Sequence, residues 1–185
     1  MPPHAGPVGP VPPGCDPDAY DRRRRRVLWR IPTGLYLVGS RAGARRNLMT
    51  GNWVVQLSTE PKLVGVGIEV GVHTYGLVRD GGVFAVSFLS RSDRSVVRRF
   101  VKPAVDDPAG RTLNEVPYHD APVTGAPVVD QAVGYLDCRV TREVELGSHC
   151  LFVGEVVDAG GAIGEEDGEG VELLRMEDTR MSYGG

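Results

Sequence analysis

Short apolar stretches, separated by glycine or proline, dominate the pattern of this chain. The stretch 63–70 is apolar at nearly every position, as expected for a strand that is covered on both faces. From residue 136 onward apolar and polar residues alternate, which is typical of a strand with one face exposed to solvent. We predict strands at 35–39, 47–58, 63–70, 83–89, 136–146, 150–157 and 171–176. Short strands separated by glycine or proline indicate a mainly β barrel or sandwich with a few short helices.

Two short helices are predicted between these strands. The first covers His73 to Asp80 and is stopped by two glycines. The second begins at Ser92 as its N-cap, ends at Pro103 and has its apolar residues on one face, namely Val96, Val97, Phe100 and Val101. Residues 104–130 contain four prolines and are predicted to be an irregular excursion over the surface.

The alternation after residue 136 predicts a long hairpin that turns at Gly147. One face of its first strand is predicted to hold Leu136, Cys138, Val140, Val144 and Leu146. Arg142 interrupts that face, and the pattern offers no reason for it. The acidic, glycine-rich stretch 158–170 lacks the ligand spacing of an EF-hand loop, so we expect a solvated hairpin tip.

The amino-terminal segment differs in composition from the rest. Residues 1–20 hold seven of the 14 prolines, so we expect residues 1–26 to be a disordered arm and residues 27–185 to be one domain. Arg22 to Arg26 could bind nucleic-acid phosphates, or could be a solvated helix or the rim of a site. No nucleic-acid-binding motif accompanies these arginines, and a net charge of −3 does not point to such a partner.

Composition indicates where the protein is located and whether it binds a metal. No apolar run is long enough for a membrane span, and the first residues lack a signal-peptide core, so we expect a cytoplasmic protein. The three cysteines have no metal-ligand spacing, and we expect buried thiols and no metal site.

The stretch Arg45–Ser58 carries the densest candidate chemistry. Its polar side chains are mostly short hydrogen-bonding groups, which suit a ligand that presents both donors and acceptors. The alternative is an edge strand with a kink at Gly51. Gly71 to Thr74 opens the first predicted helix and could bind a phosphate, with Arg45 or Arg46 as countercharge. The alternative is a Thr74 N-cap beside a surface His73.

Several segments in a fixed order resemble the flavin reductase-like, FMN-binding split-barrel family. The main one is Asn47–Trp53 (Asn-Leu-Met-Thr-Gly-Asn-Trp) with residues 56–64 after it. The other matching segments are residues 31–36, 73–75, 84–89, 147–149 and 182–185. The resemblance covers about residues 27–185. It implies a split β-barrel with Greek-key-like topology and a homodimer that binds FMN at the subunit interface.

The resemblance also implies which residues contact the cofactor. Those expected along the isoalloxazine ring are Asn47, Met49, Thr50, Gly51, Asn52, Trp53, Gln56 and Ser58. The phosphate is expected at His73 and Thr74, and the ribityl-phosphate end at Phe88, Leu89 and Ser90; the family often has asparagine where this chain has Ser87. His149 matches the histidine of a Gly-Asp-His motif and is the candidate catalytic residue, although Ser148 replaces the aspartate.

The function implied by this resemblance is an NAD(P)H-dependent flavin reductase. FMN is the expected flavin, FAD is possible, and NADH or NADPH is the co-substrate. The reduced flavin would pass to a partner monooxygenase. Two alternatives stay open: a flavoredoxin-like electron carrier, which the Ser148 departure favours, and a non-catalytic binding protein. No Rossmann glycine motif or nucleophile elbow is present.

Overall fold

The computed structural model describes residues 9–163 and 170–181. Its helices are α1 (Pro17–Leu28) and α2 (His73–Gly81). Its strands are β1 (Tyr36–Ala42), β2 (Arg45–Gly51), β3 (Val54–Thr59), β4 (Lys62–Glu69), β5 (Val83–Phe88), β6 (Asp106–Asp107), β7 (Thr112–Leu113), β8 (Val116–Asp120), β9 (Pro127–Val129), β10 (Gly134–Leu146) and β11 (His149–Gly160). Three 3₁₀ turns cover Arg91–Asp93, Val96–Phe100 and Met176–Asp178.

One large antiparallel sheet carries most of the structure. Its seven strands lie in the order β2-β1-β5-β10-β11-β4-β3. The main core packs against this sheet and contains Phe84 of β5 and Phe152 of β11, both fully buried. Cys138 and Cys150 belong to the same core as free thiols, whereas Cys15 is exposed, so the expectation of buried thiols fails there. The prediction of a mainly β protein with a few helices is confirmed.

Helix α2 agrees closely with its prediction. It begins at His73, and Gly82 ends it in the left-handed conformation with φ of 66°. The backbone N–H of Gly82 donates to the Val78 carbonyl, which satisfies one of the last free acceptors of the helix. Leu77 and Val78 are buried, so α2 covers part of the main core.

A β-bulge at Thr141 corrects the predicted hairpin face. Val140 pairs with Gly154, but Arg142 pairs with Val153, so the ladder skips one residue. The skip moves Arg142, Val144 and Leu146 to the opposite face from Cys138. Leu146 is accordingly 60% exposed. The strand alternates as predicted on each side of the bulge, and Arg142 interrupts no buried face.

Three further predictions are wrong, because long-range packing overrides the structure that the local sequence pattern favours. Residues 104–130 form a second antiparallel sheet, β6-β7-β8-β9, in which Val128 and Val129 are fully buried. The second predicted helix is replaced by the two 3₁₀ turns of residues 91–100. The last predicted strand, 171–176, makes only isolated bridges, from Leu173 to Ser90 and from Arg175 to Gly34.

The amino-terminal segment contains a helix where the sequence predicts disorder. Asp16 caps α1 by accepting from the Ala19 N–H at 2.8 Å, and proline occupies the first helical position. Asp21 pairs with Arg24 at 2.9 Å and with Arg25 at 3.3 Å. The arginine run therefore lies on an exposed helix, one of the two alternatives left open by its sequence. None of its residues is buried.

Some expectations lie outside the described residues. These are the disorder expected for residues 1–8, residues 164–169 of the acidic hairpin tip expected at 158–170, and the matching ending at residues 182–185. Within residues 9–163 and 170–181, neither helix has the length and apolar character that crossing a membrane requires.

Candidate functional site

Half of the polar side chains of β2 lie inside the protein and hydrogen-bond to it. Asn47 is 2% exposed; its amide donates to the Thr74 hydroxyl at 2.8 Å, and its carbonyl oxygen accepts from the Ala104 N–H at 2.8 Å. Thr50 is also buried and donates to the Val97 carbonyl. These bonds tie β2 to α2 and to the segment after β5. Asn47, Thr50 and Thr74 therefore have hydrogen-bond partners within the chain.

The cations expected beside a phosphate lie elsewhere. Arg45 pairs with Asp80 at 3.1 Å, near the C-terminal end of α2, and Arg46 pairs with Asp120 of β8 at 3.0 Å. The hydrogen bond to Asp120 raises the pKa of Arg46, and burial partly opposes it. The structure does not bring either arginine to the N-terminus of α2. His73 is exposed there without them.

The predicted strand 47–58 is broken at Asn52 and Trp53, between β2 and β3. The Asn52 amide donates to the Thr33 hydroxyl at 3.3 Å. Trp53 is 40% exposed, and its ring packs over Gly67, where a Cβ would come within 3.1 Å of the indole. The break therefore turns an amide and an aromatic ring out of the sheet at the point where the predicted flavin segment continues.

The indole of Trp53 lies against His149, the candidate catalytic residue. Their ring centroids are 4.4 Å apart and their planes are inclined by 49°. Strand pairing places His149 opposite Glu69, and the Ser148 hydroxyl lies 2.9 Å from His149 Nδ1. Burial lowers the pKa of His149 from its ordinary value of 6.5, and the charge of Glu69 partly opposes this. His149 is therefore a neutral imidazole at pH 7, able both to donate and to accept a hydrogen bond.

A second polar group surrounds an open cleft of about 430 Å³. The cleft is lined by Ser90, Arg91, Ser92, Arg94 and Glu172. Ser90 caps the 3₁₀ turn by accepting from the Ser92 N–H, and the two hydroxyls lie 2.9 Å apart. Two hydroxyls and two guanidinium groups on five consecutive residues form a donor set that suits a phosphate.

Strand register brings the cleft and the broken segment to the same end of the sheet. Tyr36 of β1 pairs with Gly51 on one side and with Phe88 on the other, two residues before Ser90. The Tyr36 and Phe88 rings also pack edge to face at 5.4 Å between centroids. Residues 51–53 therefore continue from the sheet end that carries the cleft toward the Trp53–His149 pair.

The remaining predicted residues divide between core and surface. Met49 packs against the main core, and Leu89 is fully buried. Gln56 and Ser58 lie toward the β3–β4 turn, where the Gln56 amide donates to the Ser58 carbonyl at 3.3 Å. The structure places Gly51, Phe88 and Ser90 at one end of the large sheet, and Asn52 and Trp53 lead from there to His149, which pairs with Leu146 at the other end of β10. It does not bring Arg45, Arg46, His73, Gln56 or Ser58 there.

Sequence reasoning missed Arg91, Ser92, Arg94 and Glu172. A signal for the first three existed, because Ser90–Arg94 is the densest mixture of serine and arginine in the chain. The same stretch also fits the start of a helix, which is what the sequence predicts there. Glu172 had no such signal, since it meets Arg91 only through the fold: the Arg91 N–H donates to the Glu172 carbonyl at 2.8 Å, and Arg91 Nη1 lies 3.2 Å from the Glu172 carboxylate.

Comparisons with known proteins identify the family of this chain. Residues 28–180 match the family described as "Flavin reductase like domain". An NADPH-flavin oxidoreductase of Streptomyces viridifaciens is 34% identical over 153 residues, which are 80% of this chain and 78% of that protein. The helix α1 lies almost entirely before the matched region.

Two solved structures have the same architecture. One is the NADH:FAD oxidoreductase of Streptomyces globisporus C-1027 in complex with NAD and FAD fragments, with a TM-score of 0.67, 29% identity and coverage of 79% of this chain and 84% of that one. The other is the flavin reductase component of a bacterial two-component tryptophan halogenase, with a TM-score of 0.67, 26% identity and coverage of 76% and 87%. The predicted split-barrel fold is confirmed, and the chain belongs to the flavin reductase-like domain family.

Proposed function

We propose that this protein is an NAD(P)H-dependent flavin reductase that supplies reduced flavin to a partner oxygenase. It binds FMN between the Ser90–Arg94 cleft and the Trp53–His149 pair. The single observation that carries the site is the connection Asn52–Trp53, which leads from Gly51, at the sheet end that carries the Ser90–Arg94 cleft, to the exposed Trp53–His149 pair. A flavin nucleotide has the matching sequence of groups: a phosphate, a polyhydroxyl chain and a planar ring. The reductase class itself agrees with the family and with the activities of the relatives.

The residues of this chain bind and orient both reactants. Bound flavin supplies the redox chemistry, since its ring system accepts a hydride from the dihydronicotinamide. The exposed Trp53 ring provides an aromatic surface for a planar group, and the Asn52 amide a hydrogen-bonding partner for its polar edge. The neutral imidazole of His149 hydrogen-bonds the nicotinamide carboxamide or holds a proton near the reduced ring.

We assign the phosphate of the flavin to the cleft instead of to the N-terminus of α2. Ser90, Ser92, Arg91 and Arg94 supply its donors. We do not assign that role to Thr74, whose hydroxyl is buried and accepts from Asn47. In this proposal Asn47, Thr50 and Thr74 hold β2 in place, and the flavin contacts the segment that follows them.

The choice of FMN over FAD follows from the size of the donor set. The cleft has one compact cluster of serine and arginine donors, which matches a single phosphate monoester. It is also open to solvent at its outer side, so an adenylyl extension could project outward, and FAD is the second candidate. The relative from Streptomyces globisporus is an NADH-dependent FAD reductase, which supports testing both flavins.

We also propose a homodimer, formed through the outer apolar face. We define this face as Trp53, Val55, Leu57, Val144 and Leu146, all of which are exposed although they are large and hydrophobic. The side chains of two of its members, Val144 and Leu146, point to this face because of the bulge at Thr141. The side chains of Leu57 and Leu151 lie over Gly65, so the face is continuous across β3, β4 and β11. A second copy would bring its own surface against Trp53.

A charge placed in the middle of this face tests the dimer. Val55→Glu is expected to convert a dimer into a folded monomer, because Val55 is 53% exposed and belongs to the outer apolar face on β3. Val105→Glu is the matched control, since Val105 is 75% exposed on the segment before β6. Sedimentation velocity would measure both variants; equal sedimentation of wild type and Val55→Glu would contradict the proposed interface.

The partner is proposed to be a flavin-dependent oxygenase in the cytoplasm, where NAD(P)H is available. Support comes from the structural neighbour that is the reductase component of a two-component halogenase. A reductase of this kind releases its reduced flavin, and the open cleft and exposed Trp53 are compatible with release.

Steady-state oxidation of NADH and of NADPH, each with FMN, FAD and riboflavin, tests the proposed activity. We expect multiple turnovers per protein molecule with at least one donor and a lower KM for FMN than for riboflavin. Flavin that stays bound and turns over slowly would instead favour the electron carrier, for which the replacement of the family's aspartate by Ser148 is the specific observation. No turnover and no flavin binding would contradict the proposal.

A further inference from the structure

Arg91 in the cleft contacts two carboxylates that differ sharply in exposure. Its Nε lies 2.7 Å from Asp178 Oδ1, and its Nη1 lies 3.2 Å from Glu172 Oε2. The side chain of Asp178 is 5% exposed, whereas that of Glu172 is 74% exposed. Both partners raise the pKa of Arg91, first through the hydrogen bond to Glu172 and then through the charge of Asp178. One guanidinium thus has a buried partner and a solvent-exposed partner.

Asp178 is held in place by the segment around it. Its second oxygen accepts from the Arg175 N–H at 2.9 Å, and it ends the 3₁₀ turn Met176–Asp178. The same segment is bonded to the start of β1, because the Leu35 N–H donates to the Leu174 carbonyl at 3.1 Å. The Leu174 N–H donates in turn to the Leu89 carbonyl at 2.9 Å. The carboxylate that faces Arg91 Nε is therefore fixed to the sheet end that carries the cleft.

Glu172 has no such constraint on its side chain. Its backbone carbonyl accepts from the Arg91 N–H, and among residues 9–163 and 170–181 Arg91 is the one ion-pair partner of its carboxylate. An exposed ion pair of this kind contributes little free energy, so another anion displaces it easily. A phosphate monoester carries more charge and more acceptor oxygens than a carboxylate.

We propose that Asp178 is a positioning residue for Arg91 and that Glu172 is its exchangeable counterion, which the phosphate of the flavin displaces. Asp178 holds the Nε side of the guanidinium, which leaves the Nη groups directed into the cleft. Glu172 occupies those groups until a phosphate arrives. This inference rests on the proposed function and adds to it the two residues that set the strength of phosphate recognition.

The consequence is a specific effect on the preference for FMN over riboflavin, which differ only by the phosphate. Asp178→Asn is expected to lower the ratio of the riboflavin Kd to the FMN Kd about tenfold, because Arg91 loses its charged anchor. Asp178→Glu should restore part of the ratio. Glu172→Gln should raise the ratio severalfold, because a competing internal anion is removed. The riboflavin Kd itself should stay nearly unchanged in all three variants.

Glu177→Gln is the matched control. Glu177 lies on the same turn, removes the same charge when substituted, and pairs with Arg175 at 3.5 Å instead of with Arg91. A general effect of charge or of segment stability would appear in this variant too. We expect its FMN preference to equal that of the wild type.

Titrations of flavin absorbance or fluorescence with both ligands supply all of these ratios. Binding of both flavins with an unchanged ratio in Asp178→Asn and Glu172→Gln would overturn this inference and leave the proposed function intact. Since Glu172 is exposed, its variant remains informative even if Asp178→Asn fails to fold. Failure of the wild type to bind any flavin would overturn the proposed function and this inference together.

Discussion

The two ends of the segment Asn47–Trp53 use the same kinds of side chain for different purposes. At the β2 end, Asn47 and Thr50 are buried, and their polar atoms bond to Thr74, Ala104 and Val97. At the β3 end, Asn52 is only partly buried and Trp53 is 40% exposed. The two asparagines are five positions apart and have opposite surroundings.

This difference shows that hydrogen-bonding capacity alone does not identify a ligand contact. A buried amide whose donors and acceptors are paired within the protein stabilises the fold, because leaving such groups unpaired is unfavourable. An amide at a strand break has free capacity that a ligand can use. In our proposal the β2 end therefore supports the site, and the β3 end contacts the ligand.

The largest expected effect comes from substituting the two asparagines in parallel. Asn47→Ala leaves the Thr74 hydroxyl and the Ala104 N–H without their buried partner, so we expect a loss of about 2–4 kcal/mol in the free energy of unfolding. Asn52→Ala should lose about 0.5 kcal/mol or less but weaken flavin binding. Urea unfolding and flavin titration measure both. Equal losses of stability in the two variants would remove the distinction.

The second-largest effect is expected from substituting Trp53, with the other tryptophan, Trp29, as the control. Trp53→Leu removes the aromatic surface while keeping an apolar side chain over Gly67. We expect the flavin Kd to rise roughly tenfold, since stacking of a heteroaromatic base on such a ring is worth about 1–3 kcal/mol. Trp29→Leu, on the terminal segment and 49% exposed, is the control and should leave the Kd unchanged. A normal Kd in Trp53→Leu would place the flavin ring elsewhere.

A smaller effect follows from moving Trp53 without removing it. A Cβ at residue 67 would lie 3.1–3.2 Å from the indole, so Gly67→Ala forces the ring to shift. Flavin affinity should fall, though less than in Trp53→Leu, with little change in stability. At Gly76 in α2 a Cβ meets nothing within 4 Å, and Gly76→Ala should leave flavin affinity unaltered and add up to about 1 kcal/mol of stability.

The smallest effect is the pH dependence due to His149. Because burial lowers its pKa in the folded state, the unfolded chain binds more protons between that lowered value and 6.5. The stability advantage of the neutral imidazole is therefore fully present above pH 6.5 and decreases as the pH falls toward the lowered pKa. Unfolding curves of the wild type should show this decrease relative to His149→Gln. Parallel pH dependences would show that His149 titrates normally.

The sequence predicted what depends on local pattern and on the resemblance. The family, most strands of the large sheet and helix α2 with its glycine stop are confirmed, whereas the predicted strand 47–58 is two strands, β2 and β3. The face of Val144 and Leu146 could not be predicted, since a bulge at Thr141 changes no residue type and yet reverses the side-chain direction. The position of Arg142 has the same explanation.

The parts of the site that were missed are long-range contacts. Arg91 and Asp178 are 87 positions apart and meet because residues 173–175 bridge to β1 and to Ser90. Asn47 and Thr74 both matched the expected motif, and the fold joins them by a hydrogen bond between their side chains. Spacing along the chain carries no information about either pairing, so only the packed fold separates the support of the site from its surface.

Anaerobic reduction of flavin tests the central claim most directly. A small amount of purified protein is mixed with excess FMN, and NADH or NADPH is added while the visible flavin absorbance is followed. The account predicts rapid bleaching of the whole flavin pool by the wild type and slower bleaching by Trp53→Leu, with Trp29→Leu equal to the wild type. Bleaching limited to one flavin per protein molecule, or none with either donor, would contradict a flavin reductase.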